Sequence, residues 1–274
     1  SCTYPDNGDY SLSFDGVDDN VIINNSQNLL NGNTHTIEVW LTAPQTFTNS
    51  NGSIVCKDGE GYDRQWLFQT INIDAANDLQ SALWGNNDSY SYVAASHSFQ
   101  PGESYYIVQK WDAVNLSIYK DGEQIAIVPA SFNLTNGNQP IRIGGGAPEG
   151  YDTHHFNGII NEIRLWESPI SDEQLAASYG ENTIIDDTQN LVVHYKFNAG
   201  SGDILYDHSG NGNHGTINGA TWAGCTDPLA ENFIDGVEID DGSCIGSPIN
   251  AEDFKYLGEL DGHYYYTSNI ISSW

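Results

Sequence analysis

Apolar and polar residues alternate with a period of two in several short stretches of this chain. Successive side chains of a β-strand point to opposite faces of the sheet, so such alternation is typical of a strand with one buried face. Gly, Asn and Asp separate the stretches, and the pair Asp121-Gly122 predicts a tight hairpin turn. The pattern predicts an all-β sandwich or barrel. The predicted strands span residues 10–14, 36–41, 116–119, 124–127, 140–143, 158–166 and 191–197.

One segment carries the signals of a helix. Ser171 is a favourable N-cap, and Gln174 completes a capping box in which the glutamine side chain bonds back to the cap. Small and apolar residues at 175–177 continue the segment, and Gly180 can end it in a left-handed conformation. We expect one helix of about two turns on the β-fold.

The composition allows a packed core. The chain has 274 residues, 39% hydrophobic and 12% aromatic, enough for one large β-sandwich and a smaller appendage. No stretch approaches the roughly 20 apolar residues that span a bilayer, and no signal peptide is recognisable. The sequence starts at Ser1 without Met, so we expect a mature protein or an excised fragment.

The charge is strongly acidic, which restricts the partners. The formal net charge is -29, from 37 Asp and Glu against 8 Lys and Arg. Such a surface repels nucleic acid and anionic membranes, so we expect no nucleic-acid binding and no membrane insertion. The carboxylates either form a solvated acidic surface or bind divalent cations, which prefer oxygen ligands, and both can hold together.

The chain contains four cysteines and no Cys-x-x-Cys motif, which argues against a zinc ribbon or a redox site. Cys225 and Cys244 flank a short acidic segment rich in turn residues, which indicates a disulfide-closed loop in an oxidising compartment. Closing a loop of this length stabilises it by about 3 kcal/mol. Cys56 follows Ile54-Val55 in a predicted strand, and we expect a buried thiol there.

Four segments together resemble the laminin-G-like members of the concanavalin A-like lectin/glucanase superfamily. They are residues 12–19, 36–40, 156–166 and 207–215, and the resemblance extends from about Gly8 to Trp222. It implies a two-sheet antiparallel jelly-roll sandwich, often with a structural calcium ion and often used to bind glycans or proteins. The family pattern usually has Asp where this chain has Asn161.

The same resemblance suggests calcium ligands in two polar loops and one strand, namely Asp15, Asp18, Asn161, Asp207 and Asn211. If the loops meet at one rim of the sandwich, they could supply the six to eight oxygens that Ca²⁺ prefers. The alternative is that these Asp-Gly and Asn-Gly pairs only form turns.

A second resemblance covers residues 224–233 and 240–244, which are similar to the short disulfide linker repeat of large secreted bacterial surface proteins. The Asp-rich end is similar to calcium-binding repeats of the thrombospondin type 3 kind. This implies a small calcium loop with the ligands Asp227, Asn232, Asp235, Asp240 and Asp241. The alternative is a solvated acidic loop held only by its disulfide.

The two ends of the chain complete the predicted domain organisation. Ser1-Cys2 repeats Ser243-Cys244, so Cys2 either ends a preceding linker repeat or pairs with Cys56. The Tyr-rich tail is similar to the opening strand of a C-type lectin-like domain, with an ordinary β-hairpin as the alternative. The predicted domains are residues 1–7, the end of a linker repeat; 8–222, the sandwich; 223–246, the disulfide-closed repeat; and 247–274, the truncated lectin-like start.

Catalytic motifs are absent from the sequence. Retaining glucanases of the superfamily use a strand with Glu-x-Asp-x-x-Glu, and residues 238–242 lack the second glutamate. Residues 210–215 match the dinucleotide fingerprint but lack its βαβ context. His154 and His155 are neighbours that would point to opposite faces of a strand, which favours a polar loop over a metal site.

Aromatic residues in polar segments are candidate glycan contacts. They are Trp66, Trp84, Tyr90 and Tyr92, with His154 in another polar aromatic loop. Loops on a rigid sandwich often bind ligands. The alternative is a place in the core, which we expect for Trp40, Trp111 and Trp166.

These features predict a non-enzymatic, calcium-dependent extracellular binding or adhesion module. We expect it to recognise carbohydrate or a cell-surface ligand and to be joined to neighbouring domains of a larger secreted or cell-surface protein. A calcium-stiffened spacer without its own ligand is the first alternative. A relative of the glycoside hydrolases is the second, disfavoured by the missing carboxylate strand.

Overall fold

The computed structural model describes residues 4–46, 51–59, 63–71, 78–86, 89–96, 99–135, 137–146, 154–246, 254–260 and 263–268. The chain divides into two compact units, Ser1–Ala223 and Gly224–Trp274, which are considered one at a time. Among the described residues, no helix combines the length and hydropathy that a membrane span requires.

The described residues of the larger unit form sixteen strands and one α-helix. In chain order they are β1 (Ser11–Asp15), β2 (Asn20–Ile23), β3 (His35–Thr42), β4 (Gly52–Lys57), β5 (Trp66–Ile71), β6 (Asp78–Trp84), β7 (Tyr90–Ala95), β8 (Ser104–Trp111), β9 (Asn115–Lys120), β10 (Glu123–Pro129), β11 (Arg142–Ile143), β12 (Asn157–Trp166), α1 (Asp172–Glu181), β13 (Leu191–Tyr195), β14 (Ile204–Leu205), β15 (Gly215–Asn218) and β16 (Thr221–Gly224).

The strands form two antiparallel sheets. The first has the order β10-β9-β8-β3-β12-β1-β16, and β13 pairs with the end of β12 that β1 leaves free. The second has the order β14-β15-β2-β11-β4-β5-β6-β7. This arrangement confirms the predicted two-sheet jelly-roll sandwich with one helix.

The core lies between the sheets because alternate residues of each strand point inward. In β3, Ile37, Val39 and Leu41 are buried and belong to the same cluster as Trp111 and Phe68. The predicted core position of Trp111 is therefore confirmed.

Trp166 and Trp40 lie elsewhere than expected. Trp166 is buried and Trp40 half-buried, but both belong to a second apolar cluster with Leu175 of α1. The helix covers the outer face of the first sheet, so this face has an apolar cluster of its own.

The helix begins as predicted but ends later. Ser171 Oγ accepts a hydrogen bond from Gln174 N at 2.9 Å, which confirms the N-cap. Gly180 does not end the helix; Asn182 does, in a left-handed conformation with φ 51°. The Gln174 side chain is buried and bonds forward, donating to Thr183 O and accepting from Ile185 N, because the chain folds back after Asn182.

The smaller unit contains the predicted disulfide. Cys225 and Cys244 are bonded, with their Cα atoms 4.8 Å apart. The unit also contains β17 (Ile239–Asp240) and a hairpin of β18 (Phe254–Leu260) and β19 (His263–Ser268). The linker-repeat and lectin-like assignments of residues 223–274 remain predictions.

Cys2 and Cys56 are the cysteines outside this disulfide, and the sequence left open whether they pair with each other. Cys56 is buried in β4, as expected, with its Sγ 3.5 Å from Gly145 O. Cys2 lies outside the described residues, so both alternatives for its partner remain predictions.

The N-cap gives a test of the helix. Ser171→Ala removes the acceptor for Gln174 N and the hydroxyl that donates to Asp186. We expect the free energy of unfolding to fall by about 1 to 2 kcal/mol in urea denaturation. The exposed Ser201→Ala serves as the control and should change it by less than about 0.5 kcal/mol; equal stabilities of the two variants would contradict the assignment.

Candidate functional site

An acidic turn connects the two sheets. β1 of the first sheet ends at Asp15, and β2 of the second sheet starts at Asn20. Asp15 Oδ1 accepts a hydrogen bond from Val17 N at 2.8 Å, and Gly16 has a left-handed φ of 78°. The predicted turn chemistry is therefore present.

Three carboxylates converge in this turn. Ligand atoms of Asp15, Asp18 and Asp19 all lie within 4.8 Å of one another. Asp15 and Asp18 are exposed, whereas Asp19 is only 6% exposed. Among the described residues, this is the group of acidic, histidine or cysteine side chains close enough to hold a metal ion.

Asp19 was not among the predicted ligands, yet it is the most constrained of the three. Its Oδ2 accepts from Asp15 N at 2.9 Å. Burial raises the pKa of Asp19 above its ordinary value, the bond from Asp15 N opposes that rise, and the charges of Asp15 and Asp18 add to it. The three carboxylates of the turn therefore repel one another, which makes ionisation of Asp19 less favourable.

Distant segments make room for Asp19. Gly219 has a φ of 82°, and a Cβ there would lie 2.2 Å from Asp19 Oδ1, so the site requires glycine. On another side, His155 Nδ1 lies 3.3 Å from Asp19 O. In the sequence, only the adjacency of Asp18 and Asp19 indicated that Asp19 belongs to this cluster.

The second predicted calcium loop does not meet this turn. β2 and β15 pair antiparallel, with Asn20 opposite Asn218 and Ile23 opposite Gly215. The acidic turn precedes Asn20 and the loop 207–214 precedes Gly215, so they lie at opposite ends of the pair, about 10 Å apart along the strands. The two loops therefore do not meet at one rim, so the condition for a calcium site shared between them is not fulfilled.

Asn161 is also separate from the turn. Asp15 pairs with Asn157 of β12, and Asn161 lies four residues further along that strand. At about 3.3 Å per residue this places Asn161 about 13 Å away. The strand register thus excludes Asn161 as a ligand shared with Asp15.

Asp207 holds the loop 207–214 in place through hydrogen bonds. It is fully buried, and its carboxylate accepts four hydrogen bonds of 2.9 Å, from His194 N, Ser209 N, Ser209 Oγ and Asn213 N. These donors occupy the lone-pair directions that a calcium ion would need. Asn211 likewise braces the loop, with Nδ2 donating to Leu191 O at 2.9 Å.

The predicted ligands of the disulfide-closed segment also bond mainly to backbone. Asp227, Asp240 and Asp241 each accept a backbone N–H two residues onward, from Leu229, Gly242 and Ser243. Asn232 uses both ends of its amide, accepting from Ile245 N and donating to Ser243 O. Asp235 is exposed. No three carboxylates of this segment meet within the described part of the chain.

Three of the predicted glycan contacts lie together on the outer face of the second sheet. Trp84 of β6 pairs with Tyr90 of β7, and Ala82 pairs with Tyr92, so the three aromatic side chains share one face. Tyr90 is 65% exposed and Tyr92 is 56% exposed, while Trp84 is half-buried. The intervening Ser91 and Val93 point the other way because of the strand alternation.

Arg64 adds a charge that was not predicted. Its guanidinium lies over the Trp84 ring, 3.9 Å from the centroid. Arg64 Nε and Nη2 donate to the two carboxylate oxygens of the buried Asp58 at 2.8 and 2.7 Å. This bidentate pair fixes the guanidinium and, through the cation–π contact, the indole.

The other two predicted contacts lie away from this face. Trp66 is fully buried between the sheets, so its prediction as a ligand contact was wrong; it alternates with the outward-facing Leu67. His154 is half-buried, and its backbone oxygen accepts from Ser53 N at the start of β4. Ser53 lies in the row of Gln69 and Gln80, about 13 Å along the sheet from Trp84. Residues 150–153 lie outside the described residues.

The role of Asp207 can be tested by substitution. Asp207→Ala leaves the buried donors of His194, Ser209 and Asn213 without their acceptor, so we expect the free energy of unfolding to fall by about 3 kcal/mol or more in urea denaturation. Added calcium should not restore it. The exposed Asp203→Ala is the control; a calcium-dependent loss specific to Asp207→Ala would show that this carboxylate binds the ion.

Comparison with known proteins identifies the fold family. A laminin G-type family model, described as the concanavalin A-like lectin/glucanases superfamily, matches residues 15–176, which is more than half of the chain. No curated protein matches the sequence.

Solved structures share the fold at low sequence identity. A Bacteroides ovatus protein to which carbohydrate binding is ascribed is 16% identical with a TM-score of 0.60, over 79% of this chain and 60% of that protein. A heptameric SAP-like pentraxin from Limulus polyphemus is 14% identical with a TM-score of 0.50, over 65% and 84%. The CBM40 domain of a Ruminococcus gnavus IT-sialidase is 16% identical with a TM-score of 0.50, over 62% and 98%. The chain thus spans less than two thirds of the Bacteroides protein.

Proposed function

The chain belongs to the concanavalin A-like lectin/glucanases superfamily, and we propose that it is a non-enzymatic carbohydrate-binding module of an extracellular protein. The observation that carries the proposal is the aromatic face on the second sheet, formed by the exposed Tyr90 and Tyr92 and the half-buried Trp84. Aromatic side chains that remain exposed on a rigid sheet lose burial energy, which a ligand can recover.

The chemistry of this face suits a sugar. A pyranose ring has an apolar C–H face and a rim of hydroxyl groups, so it matches flat aromatic surfaces bordered by hydrogen-bonding groups. Tyr90 and Tyr92 each offer a ring with a hydroxyl tip. The Arg64 guanidinium, 38% exposed as a side chain, adds donors next to Trp84. The positive charge of Arg64 over the Trp84 ring favours a neutral or acidic glycan over a basic one.

The fold comparisons support a binding role by analogy. Carbohydrate binding is ascribed to the Bacteroides ovatus protein, and the Ruminococcus gnavus domain is the CBM40 of a sialidase. The same fold hosts unrelated functions, so the analogy adds to the argument from the aromatic face and does not replace it.

We further propose that calcium binds at the acidic turn. Asp15, Asp18 and Asp19 offer three carboxylates close together, and backbone carbonyls and water can complete the six to eight oxygens. A divalent cation would remove the repulsion that these carboxylates exert on one another. Because the turn joins the two sheets, the ion would act as structural support for the sandwich. Calcium in the disulfide-closed segment is a weaker proposal, since its ligands are dispersed.

The extracellular and adhesin setting is also a proposal. A disulfide such as Cys225–Cys244 persists in oxidising compartments. The main alternative function is a calcium-stiffened spacer, which would use the acidic turn and leave the aromatic face empty. The two functions differ in whether the aromatic face has a ligand.

A glycan array tests the proposed site. We expect the chain to bind one glycan class, and we expect the double variant Tyr90→Ala, Tyr92→Ala and the single variant Trp84→Ala each to weaken that binding at least about tenfold, because stacked aromatic contacts dominate such interfaces.

Tyr179→Ala is the matched control. Tyr179 is 54% exposed and lies on α1, on the other side of the sandwich, so its loss should leave glycan binding unchanged. A folded protein that binds no glycan would favour the spacer. Binding that survives all three aromatic substitutions would place the site elsewhere.

Thermal unfolding with calcium or with chelator tests the metal site. Calcium at 100-fold above its Kd should stabilise the folded chain by about 2.7 kcal/mol, and Asp15→Asn, Asp18→Asn and Asp19→Asn should each reduce that gain. The control is the exposed Asp203→Asn, and Asp240→Asn reports on the disulfide-closed segment. A gain lost with Asp240→Asn and kept in the three turn variants would move the site to that segment.

The pH dependence in chelator gives an independent check. Because the pKa of Asp19 is raised in the folded state, its contribution to stability is most favourable when the group is protonated, and it declines as the pH rises above the ordinary value of 3.8. Asp19→Asn should therefore be more stable than the parent at neutral pH in chelator and less stable in calcium. The same order of stability in both conditions would refute the calcium proposal.

A further inference from the structure

A polar cleft opens on the outer face of the first sheet. It has a volume of about 450 Å³ and lies between the C-terminal end of α1, the strands β12 and β13, and the N-terminal segment. The charged groups that line it are Asp6, Asp9, Glu162, Arg164, His194 and Lys196. The aromatic face belongs to the other sheet, so this cleft lies on the opposite side of the sandwich and is independent of the proposed glycan site.

The floor of the cleft is a closed hydrogen-bond network. Glu162 Oε1 accepts from Arg164 Nε and from His194 Nε2, each at 2.8 Å, and Glu162 Oε2 accepts from Asn182 Nδ2 at 2.7 Å. Arg164, 1% exposed, also donates to Ser178 Oγ of α1. The helix, β12 and β13 thereby hold the floor in one arrangement.

This floor is suited to binding and not to proton transfer. Burial by itself raises the pKa of Glu162, but the bond from His194 and the charge of Arg164 outweigh it and lower the pKa below its ordinary value. Glu162 therefore stays ionised at neutral pH and lacks the raised pKa of a general acid. The two-carboxylate mechanism of a glycosidase is not supported here.

The mouth of the cleft carries opposite charges that do not pair. Asp6, Asp9 and Lys196 are exposed, and none of them forms a salt bridge or a side-chain hydrogen bond with another residue in the described ranges. The chain has only 8 basic residues against 37 acidic ones, and two of the 8 line this cleft. Because Lys196, Asp6 and Asp9 line the same cleft, one small ligand can contact both signs of charge.

A buried amide adds a directed donor. Asn198 is 7% exposed and lines the cleft. His208 Nε2 lies 3.0 Å from its Oδ1, which leaves the Nδ2 donors of Asn198 without an acceptor among the described residues. The Nδ2 group itself reaches the surface of the cleft, where it can donate to water or to a ligand atom.

We propose that this cleft binds a small zwitterion, a molecule with an ammonium group and a carboxylate or other oxyanion a few ångströms apart. Asp6 and Asp9 would accept from the ammonium, and Lys196 and Asn198 Nδ2 would donate to the oxyanion, each as charge-assisted hydrogen bonds. A ligand with a single charge would leave either the carboxylates or the lysine uncompensated. Lys196 disfavours a bare divalent cation, and Ile184 is the only apolar residue lining the described cleft, which disfavours an apolar ligand.

Two-dimensional ¹H–¹⁵N NMR of the whole chain tests the proposal with glycine and taurine as zwitterions and with ethylamine and acetate as singly charged controls. We expect saturable shifts of the Asn198 side-chain amide with a zwitterion, and a Kd at least about tenfold weaker with either singly charged probe, because each charge-assisted bond accounts for about that factor.

Substitutions at the mouth provide the second arm. Lys196→Gln and the double variant Asp6→Asn, Asp9→Asn should each weaken zwitterion binding about tenfold while the melting temperature stays the same, since these groups are exposed and unpaired. Lys120→Gln and Asp203→Asn are matched controls outside the cleft and should bind as the parent does. Equal affinity for ethylamine or acetate, the absence of saturable shifts with either zwitterion, or full binding by Lys196→Gln would overturn the proposal.

Discussion

The packing of two antiparallel sheets across one apolar core is the interaction on which the other features depend. Because side chains alternate along each strand, burying Ile37, Val39 and Leu41 of β3 inward forces Glu38 and Trp40 outward on the same strand. The sandwich therefore has two outer faces whose residues are free of the core. The two outer faces differ. The helix α1 covers much of the outer face of the first sheet, while exposed aromatic side chains lie on the outer face of the second sheet.

The helix-bearing face is built around buried charge. Glu38 is fully buried, and its two oxygens accept from Tyr106 Oη and Trp166 Nε1 at 2.6 Å each. Arg164 lies 4.6 Å over the Trp40 ring and bonds to the helix and to Glu162. Loss of any hydrogen-bond partner of Glu38 or Arg164 would leave a buried polar group unsatisfied. These hydrogen bonds therefore fix the position of α1 on the sheet. The same constraint holds the floor of the polar cleft rigid.

The acidic turn and the two outer faces occupy different parts of the sandwich, and this separates their roles. The turn at Asp15–Asp19 is covalently part of the passage from the first sheet to the second, so a cation there would stiffen the sandwich without touching a ligand on either face. The aromatic face and the polar cleft lie on opposite sides, and one can be occupied without the other. A module of this design could support its fold, a glycan and a small charged ligand with three independent sets of residues.

The sequence by itself determined the features that depend on neighbours along the chain. Strand alternation located β1, β3, β9 and β12, Ser171 marked the helix start, and the acidic segment between Cys225 and Cys244 indicated its disulfide. Tertiary structure decided the rest, because strand register and distant contacts set the sites. Register put Trp66 in the core but Trp84 beside Tyr90, and it moved the loop of Asp207 away from Asp15. Asp19 became part of the acidic cluster because Gly219, far along the chain, has no side chain to displace it.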